Sequence, residues 1–525
     1  MAADSDAKRF TRADVAKHNT PQDCWIIVDD EVLDVTKFAK FHPGGAAFIH
    51  KLAGQDATGP FGLYHNPGHR RKYFGKFRVG RLVPAEAPEE RPLPHAEKAF
   101  GDMVPYGDPA WYQRLADTAP AYYTDSHRAF RAKVRSFVET EVIATMDEWM
   151  GKDRPPDAVM KKLGAAGLLA CMHGPPYPAK FTPVPPPENF DYFHELILFD
   201  EFARCGQPGV IGALTNGCSI AMSAIMRFGS AAMQAKVAPA VFAGDEHVCL
   251  AISEPNAGSD VAGMVTEAVA DPAGGGGYVV NGVKKWITNG TYADWFVTAV
   301  KTTPKGGHGG LSLMLLHKSM PGLSVRKVAI RDSDISGTAY IVFENVKVPR
   351  ENLIGKENNG FRMIMWNFNH ERLYITTVCA RFARICLEES LAYATKRRTF
   401  GKPLSEHAVI RMKIASMIRG CEMLQAWLEA LVFQMTQMSH TDANAKLGDM
   451  ICLIKAQASK TFEHNARETT HIFGGNALHE SGVGRKVERM VAAVKGYAIP
   501  AGAEDIMDDF GARAAFKLAK ATAKL

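Results

Sequence analysis

The run Val83-Pro-Ala-Glu-Ala-Pro-Glu-Glu-Arg-Pro-Leu-Pro94 holds four prolines and three glutamates in twelve residues. Such a run cannot close a core and reads as a linker, placed here over residues 83–109. It cuts a chain of 525 residues into a small N-terminal module, residues 7–82, and a remainder too long for a single core. Two or more domains are therefore expected. Hydrophobic residues make up 46% and charged residues 22%, the balance of a soluble globular protein. The formal charge of +6 suits an anionic substrate and is too diffuse to argue for nucleic acid. Nine cysteines without a C-x-x-C pair read as reduced thiols inside a cell. Neither a run of 18 apolar residues nor a signal-peptide core after Met1 is present, so a soluble, intracellular protein is expected.

Within the module, Cys24-Trp-Ile-Ile-Val28 and Glu31-Val-Leu-Asp-Val35 read as short strands around a turn at Asp29-Asp30. Phe41-His-Pro-Gly-Gly45, Gly54-Gln-Asp-Ala-Thr58 and Tyr64-His-Asn66 follow, with His65 lying 23 positions after His42. Two imidazoles can clamp a haem iron from both sides, which closes both axial positions and favours one-electron transfer over oxygen binding. Together these segments resemble a cytochrome b5 domain, a small α+β fold. The resemblance implies haem b, with His42 and His65 as the axial ligands. His69 is a nearby rival whose Gly68-His69-Arg70 setting fits the family pattern less well. The second-ligand side is basic here (His69, Arg70, Arg71, Lys72), where the family carries an acidic rim, so the expected redox partner is the fused remainder.

Residues 110–247 read as helical, with Phe130, Val134, Phe137-Val138 and Val142 on a period of three to four. Pro175–Pro187 interrupts them as a long proline-rich loop. Residues 248–350 read as β-structure. Leu250-Ala-Ile-Ser-Glu-Pro-Asn-Ala-Gly-Ser-Asp-Val-Ala-Gly-Met264 breaks from a strand into a loop of backbone N–H groups and short hydroxyls suited to a pyrophosphate. Tyr278–Gly290 reads as a hairpin turning at Asn281-Gly282, and Trp295–Val300 and Leu311–Leu316 as further strands. Residues 351–522 are helical again. There Ile410, Ile414, Met417, Cys421, Leu424 and Leu428 form the seam of a bundle.

Five stretches in order, Leu250–Met264, Tyr278–Gly290, Phe343–Gly355, Arg397–Lys402 and Ile472–Asn476, resemble the acyl-CoA dehydrogenase family. The resemblance covers residues 125–520. It implies a multidomain fold of α-helical bundle, β-barrel-like middle domain and four-helix C-terminal bundle, a homodimer or homotetramer, bound FAD and an acyl-CoA substrate. By the same resemblance Ile252, Ser253, Trp286 and Thr288 belong beside the flavin ring, and Ser259 near the pyrophosphate. Arg397, Thr399, Phe400, Gly474 and Gly475 match positions that hold FAD across a subunit interface, and Ala503 and Asp505 join the cofactor set. A guanidinium can fork onto a pyrophosphate.

Desaturation of a thioester needs a carboxylate for the α-proton and donors for the enolate-like oxygen. Many members carry the base in a Tyr-Glu-Gly-Thr segment near the C-terminus. Here that run is Ile499-Pro-Ala-Gly-Ala-Glu-Asp-Ile506, and Ala501 stands at the matching position. The isovaleryl-CoA dehydrogenase branch places its base on an earlier helix. Asn369-His-Glu-Arg-Leu373 offers that alternative, so Glu371, read as opening a helix, is the expected base, with Glu504 its rival. The backbone N–H of Ala501 is left to donate to the thioester carbonyl. Other readings are a flavin oxidase, a nitroalkane-type oxidase on the same fold, and a degenerate electron carrier or binding protein. Ala523-Lys-Leu525 resembles a peroxisomal address.

Overall fold

The computed structural model describes residues 8–65, 73–83, 106–109, 122–149, 151–271, 276–303, 307–331 and 333–522. His69 with the basic residues beside it, linker residues 84–105 and Ala523–Leu525 lie outside the described residues. The chain divides into two compact units. One comprises residues 1–105, 389–413 and 469–488, the other residues 106–388, 414–468 and 489–525.

In the first unit, β1 (Arg9–Phe10), β2 (Asn19–Thr20), β3 (Asp23–Val28), β4 (Glu31–Asp34) and β5 (Arg78–Leu82) form a sheet in the order β1-β5-β4-β3-β2. The near-continuous apolar run of β3 is explained by packing on both faces. Cys24, Ile26 and Val28 meet Leu33, Ala53 and Phe74 on one side, while Ile27 meets Val15 and Val32 on the other. The β3–β4 turn places Asp29 at φ 58°, a left-handed position that Asp tolerates.

In the second unit an eight-stranded sheet runs β11-β12-β8-β7-β9-β10-β13, with β6 pairing parallel to β9. Its strands are β6 (Val248–Ala251), β7 (Glu267–Ala270), β8 (Tyr278–Ile287), β9 (Trp295–Lys301), β10 (Leu311–His317), β11 (Leu323–Lys327), β12 (Ala339–Val348) and β13 (Leu353–Ile354). The expected hairpin at Asn281-Gly282 is corrected: both residues lie inside the ten-residue strand β8. Gly282 is required there by close approach. A Cβ on it would lie 2.6 Å from Thr266 Oγ1 and 2.7 Å from Thr266 Cα. Asn281 Oδ1 accepts from Asn345 N across a β-bulge in β12.

Helices precede and follow this sheet, including Asp125–Phe137, Tyr192–Ala203, Gly360–Lys396, Ala408–Thr436 and Gly448–Phe473. The Ile410–Leu428 stripe is buried, as its spacing required. Pro208–Phe228 is long and apolar enough to cross a membrane, but 78% of its apolar window is buried inside the protein, as in a core helix. Asp108, inside the stretch read as linker, is enclosed by Arg131, Arg135, Arg204 and Arg381 at 2.9–3.0 Å. Burial alone would raise its pKa, yet the four guanidiniums hold it well below the ordinary carboxylate range. His127, Asp191 and His194 also converge, but both nitrogens of each ring already bond protein groups within two helix-capping boxes.

Gly282→Ala should destabilise the full chain by about 1–3 kcal/mol, through overpacking against Thr266. Gly496→Ala, at an exposed position of an otherwise partly buried helix with open space around it, should not destabilise it. Urea denaturation of the two variants beside the parent measures both.

Candidate functional site

Glu371 does not open a helix. The helix carrying it begins at Gly360, so the carboxylate sits three turns in and beyond reach of the N-terminal dipole. It lies on the buried face with Met363, Ile364, Asn367, His370 and Tyr374. Its Oε2 is buried without a hydrogen-bond partner among the described residues. Burial raises the carboxyl to about 7, against the opposing pull of Arg372, Lys455 and His370. A carboxylate so placed is half ionised near neutral pH and has a vacant acceptor, two properties of a general base.

The loop after Ala498 is tied to this helix. Arg372 donates from Nε to Ala501 O at 2.9 Å and from Nη1 to Asn369 Oδ1 at 2.8 Å. Lys455 donates from Nζ to Ala498 O at 2.6 Å and to Gly502 O at 2.7 Å. These bonds hold Ala501 buried at φ 57°, a left-handed conformation uncommon for a residue with a Cβ. Among the described residues no hydrogen bond uses the Ala501 N–H. Glu504 differs from Glu371: it starts the Glu504–Thr522 helix, is half-buried and accepts from Ser459 Oγ at 2.6 Å. Ala503 caps that helix through Met507 N to Ala503 O at 3.0 Å, and Asp505 is exposed on its first turn.

The Leu250–Met264 loop is held from beneath by a buried ion pair that sequence reading missed. Lys284 Nζ lies 2.8 Å from Glu254 Oε1 and donates to Ile252 O at 2.9 Å. Glu254 in turn accepts from Val265 N at 2.6 Å and Thr266 N at 2.9 Å. Burial pulls Lys284 down to about 8 even though Glu254 opposes it. Ile252 is buried and Ser253 half-buried, with Ser253 O accepting from Lys285 N at 2.9 Å, while Ser259 is exposed on the loop. Trp286 is the extra residue of a β-bulge, between Lys285 opposite Tyr340 and Ile287 opposite Ala339. At φ 68° the bulge turns the indole outward, leaving it 52% exposed with Lys285 Nζ 4.5 Å above the ring. Thr288 is half-buried at the following turn, where Asn289 Nδ2 donates to Gly212 O at 3.1 Å.

In the other unit, Arg397 precedes a two-stranded ribbon, Arg398–Thr399 with Lys402–Pro403. Thr399 Oγ1 lies 3.3 Å from His407 Nε2, and Phe400 at the tip is 96% exposed. Gly474, at φ 58°, and Gly475 have open space around them, room for a group brought close to the backbone. His42 and His65 face each other with ring centroids 5.8 Å apart. Nδ1 of His42 lies 3.5 Å from Gly45 O and Nδ1 of His65 lies 3.2 Å from Phe61 O, so each ring would hold a metal through Nε2. Phe41, Phe48 and Tyr64 are large, exposed aromatics in the same module, with the Phe48 and Tyr64 ring centroids 6.4 Å apart. Arg397 Nη1 donates to the hydroxyl of Tyr64, neighbour of His65, at 2.7 Å.

Family models match along most of the chain: cytochrome b5-like heme/steroid binding domain over 11–83, then acyl-CoA dehydrogenase N-terminal domain over 124–245, middle domain over 249–346 and C-terminal domain over 358–516. Acyl-CoA dehydrogenase AFT10-1 of Alternaria alternata is 36% identical over 422 residues, which are 78% of this chain and 95% of the relative. The chain belongs to the acyl-CoA dehydrogenase family. Mitochondrial isovaleryl-CoA dehydrogenase of Arabidopsis thaliana is 30% identical, over 73% of this chain and 90% of its own. The crystal structure of a probable acyl CoA dehydrogenase from Mycobacterium abscessus aligns with TM-score 0.68 at 30% identity, covering 75% of this chain and 99% of the other. Members of this family are oxidoreductases, the dehydrogenase fold implies FAD, and the added b5-like domain implies haem.

Lys284→Met should cost about 3 kcal/mol, because it leaves Glu254 charged and unpaired in the interior. It should also weaken flavin retention by loosening the 252–266 loop. Thermal unfolding and the ratio of flavin to protein after gel filtration report the two effects.

Proposed function

We propose that the protein oxidises a fatty or branched-chain acyl-CoA thioester to its α,β-unsaturated product, and that the electrons leave through its own b5-type domain. The observation that carries the first part is the buried, unpartnered Glu371 Oε2 with its pKa near 7. Glu371 takes the α-proton. The N–H of Ala501, in a loop fixed by Arg372 and Lys455, donates to the thioester oxygen as negative charge builds on it. Ile252, Ser253, Ser259, Trp286 and Thr288, with Ala503 and Asp505, are read as one set of FAD contacts, Arg397, Thr399, Phe400, Gly474 and Gly475 as the set that would meet FAD across a subunit interface, and His42 with His65 as the ligands of haem b. When bound, the flavin supplies a two-electron acceptor for the β-hydride and the haem a one-electron acceptor.

Support for the relay is the Arg397–Tyr64 hydrogen bond, which joins the segment read as holding FAD to the residue beside His65. The basic surroundings of His65 in the sequence, unlike the acidic rim of free cytochromes b5, accord with a partner on the same chain.

Glu371→Gln should slow flavin bleaching by acyl-CoA about 10²–10⁴-fold in an anaerobic stopped-flow cell, without loss of bound flavin. Because the carboxylate is the active form, the parent's bleaching rate should fall as pH drops through about 7. His42→Ala should abolish the haem spectrum and leave acyl-CoA-driven flavin bleaching intact. Undiminished turnover of His42→Ala with every electron acceptor would end the relay.

A further inference from the structure

His370 immediately precedes the base and is fixed from two sides. Its Nδ1 lies 2.7 Å from Ser219 O, and its Nε2 meets Glu195 Oε1. A backbone carbonyl and a carboxylate are both acceptors, so these surroundings favour a ring protonated on both nitrogens. Both side chains are buried, His370 at 7% and Glu195 at 6% exposure. The backbone passes so close at Gly174 that a Cβ there would lie 2.6 Å from Glu195 Oε2 and 2.9 Å from His370 Nε2. Four segments thus converge on the pair: the Tyr192–Ala203 helix, the turn at Gly174, the Gly217–Ala221 turn and the Gly360–Lys396 helix.

We propose that Glu195 is a positioning residue for proton abstraction: through His370 it maintains a positive charge beside Glu371 and so keeps the base ionised. The inference rests on the reading of Glu371 as the base. The other charged groups near the pair are accounted for. His173 and His440 are driven down to about 3, chiefly by burial, and are neutral. Arg227 is a standing cation that acts on both, and Tyr374 is held neutral by burial. Arg372 and Lys455 face Glu371 from its own helix and from the Gly448–Phe473 helix and are tied to backbone carbonyls, and Glu504 acts on Lys455. None of these contacts involves Glu195; Cys171 and Tyr192, on which Glu195 does act, are held neutral chiefly by burial. His370 shifts upward because Glu195 outweighs the cost of burial, and Glu371 adds to that pull. Removing the Glu195 charge would by itself favour ionisation of Glu371. His370 acts on Glu371 directly whereas Glu195 is not among the groups that do, so the loss of the ring's charge dominates.

The test is the pH profile of anaerobic flavin bleaching by acyl-CoA in the full-length holoprotein. Glu195→Gln should move the acid limb upward by about one pH unit, and Glu195→Asp should stay near the parent. His370→Gln should give the same shift, and the double variant E195Q/H370Q no more than His370→Gln alone. If Glu195→Gln fails to fold, judged by circular dichroism and flavin content, His370→Gln against the parent carries the test. An acid limb that stays in place in His370→Gln, or shifts that add in the double variant, overturns the proposal. Failure of the underlying reading looks different: Glu371→Gln would then bleach at the parent rate.

Discussion

A carboxyl group withdrawn from water on a long helix is the constraint around which the dehydrogenase part of this chain is arranged. Desolvation alone would keep Glu371 protonated and useless as a base. Arg372, Lys455 and His370 offset it to the point where the group ionises near neutral pH. None of the three is a simple counter-ion. Arg372 and Lys455 spend hydrogen bonds on the Ala498–Gly502 loop, and His370 is bonded to Glu195 and Ser219. The charges that tune this carboxyl are therefore fixed by the same bonds that shape its surroundings, and among the described residues its Oε2 has no hydrogen-bond partner.

The sheet meets a related demand with a buried pair. A loop that offers backbone groups to a cofactor cannot bury much apolar surface of its own. Glu254 and Lys284 supply the missing rigidity from inside, bonding three backbone groups of that loop. The bulge at Trp286 then presents an aromatic face that a regular strand would have turned elsewhere. In the N-terminal module the corresponding device is the opposed His42 and His65, each ring steered by a carbonyl of its own turn.

The order of modules and the fold class were legible because each rests on local pattern. The Pro/Glu run, the apolar strands around Asp29-Asp30 and the Ile410–Leu428 stripe all declare themselves within a few residues. Gly282 misled because Asn-Gly is a turn signal, whereas the glycine here answers to Thr266, just ahead of the neighbouring strand, a contact of tertiary origin. The start of the Glu371 helix was set too late. Gly360–Asn369 holds a Gly, an Asn pair and several aromatics of weak helix propensity, and its helicity comes from packing of Met363, Ile364 and Asn367. Lys284, Glu254 and Glu195 were invisible for a plainer reason: each partner lies 20 or more residues away in the chain, and charged residues in strands and helices ordinarily face solvent.

The most direct measurement is an anaerobic visible spectrum of the purified full-length protein during titration with short, long and branched acyl-CoAs. Bleaching of the flavin band followed by ferrous haem bands is the predicted result, since it needs the base, the flavin surface and the paired histidines together. Bound flavin that no acyl-CoA bleaches would contradict the account at its centre, and bleached flavin beside haem that stays ferric would contradict the joining of the two modules.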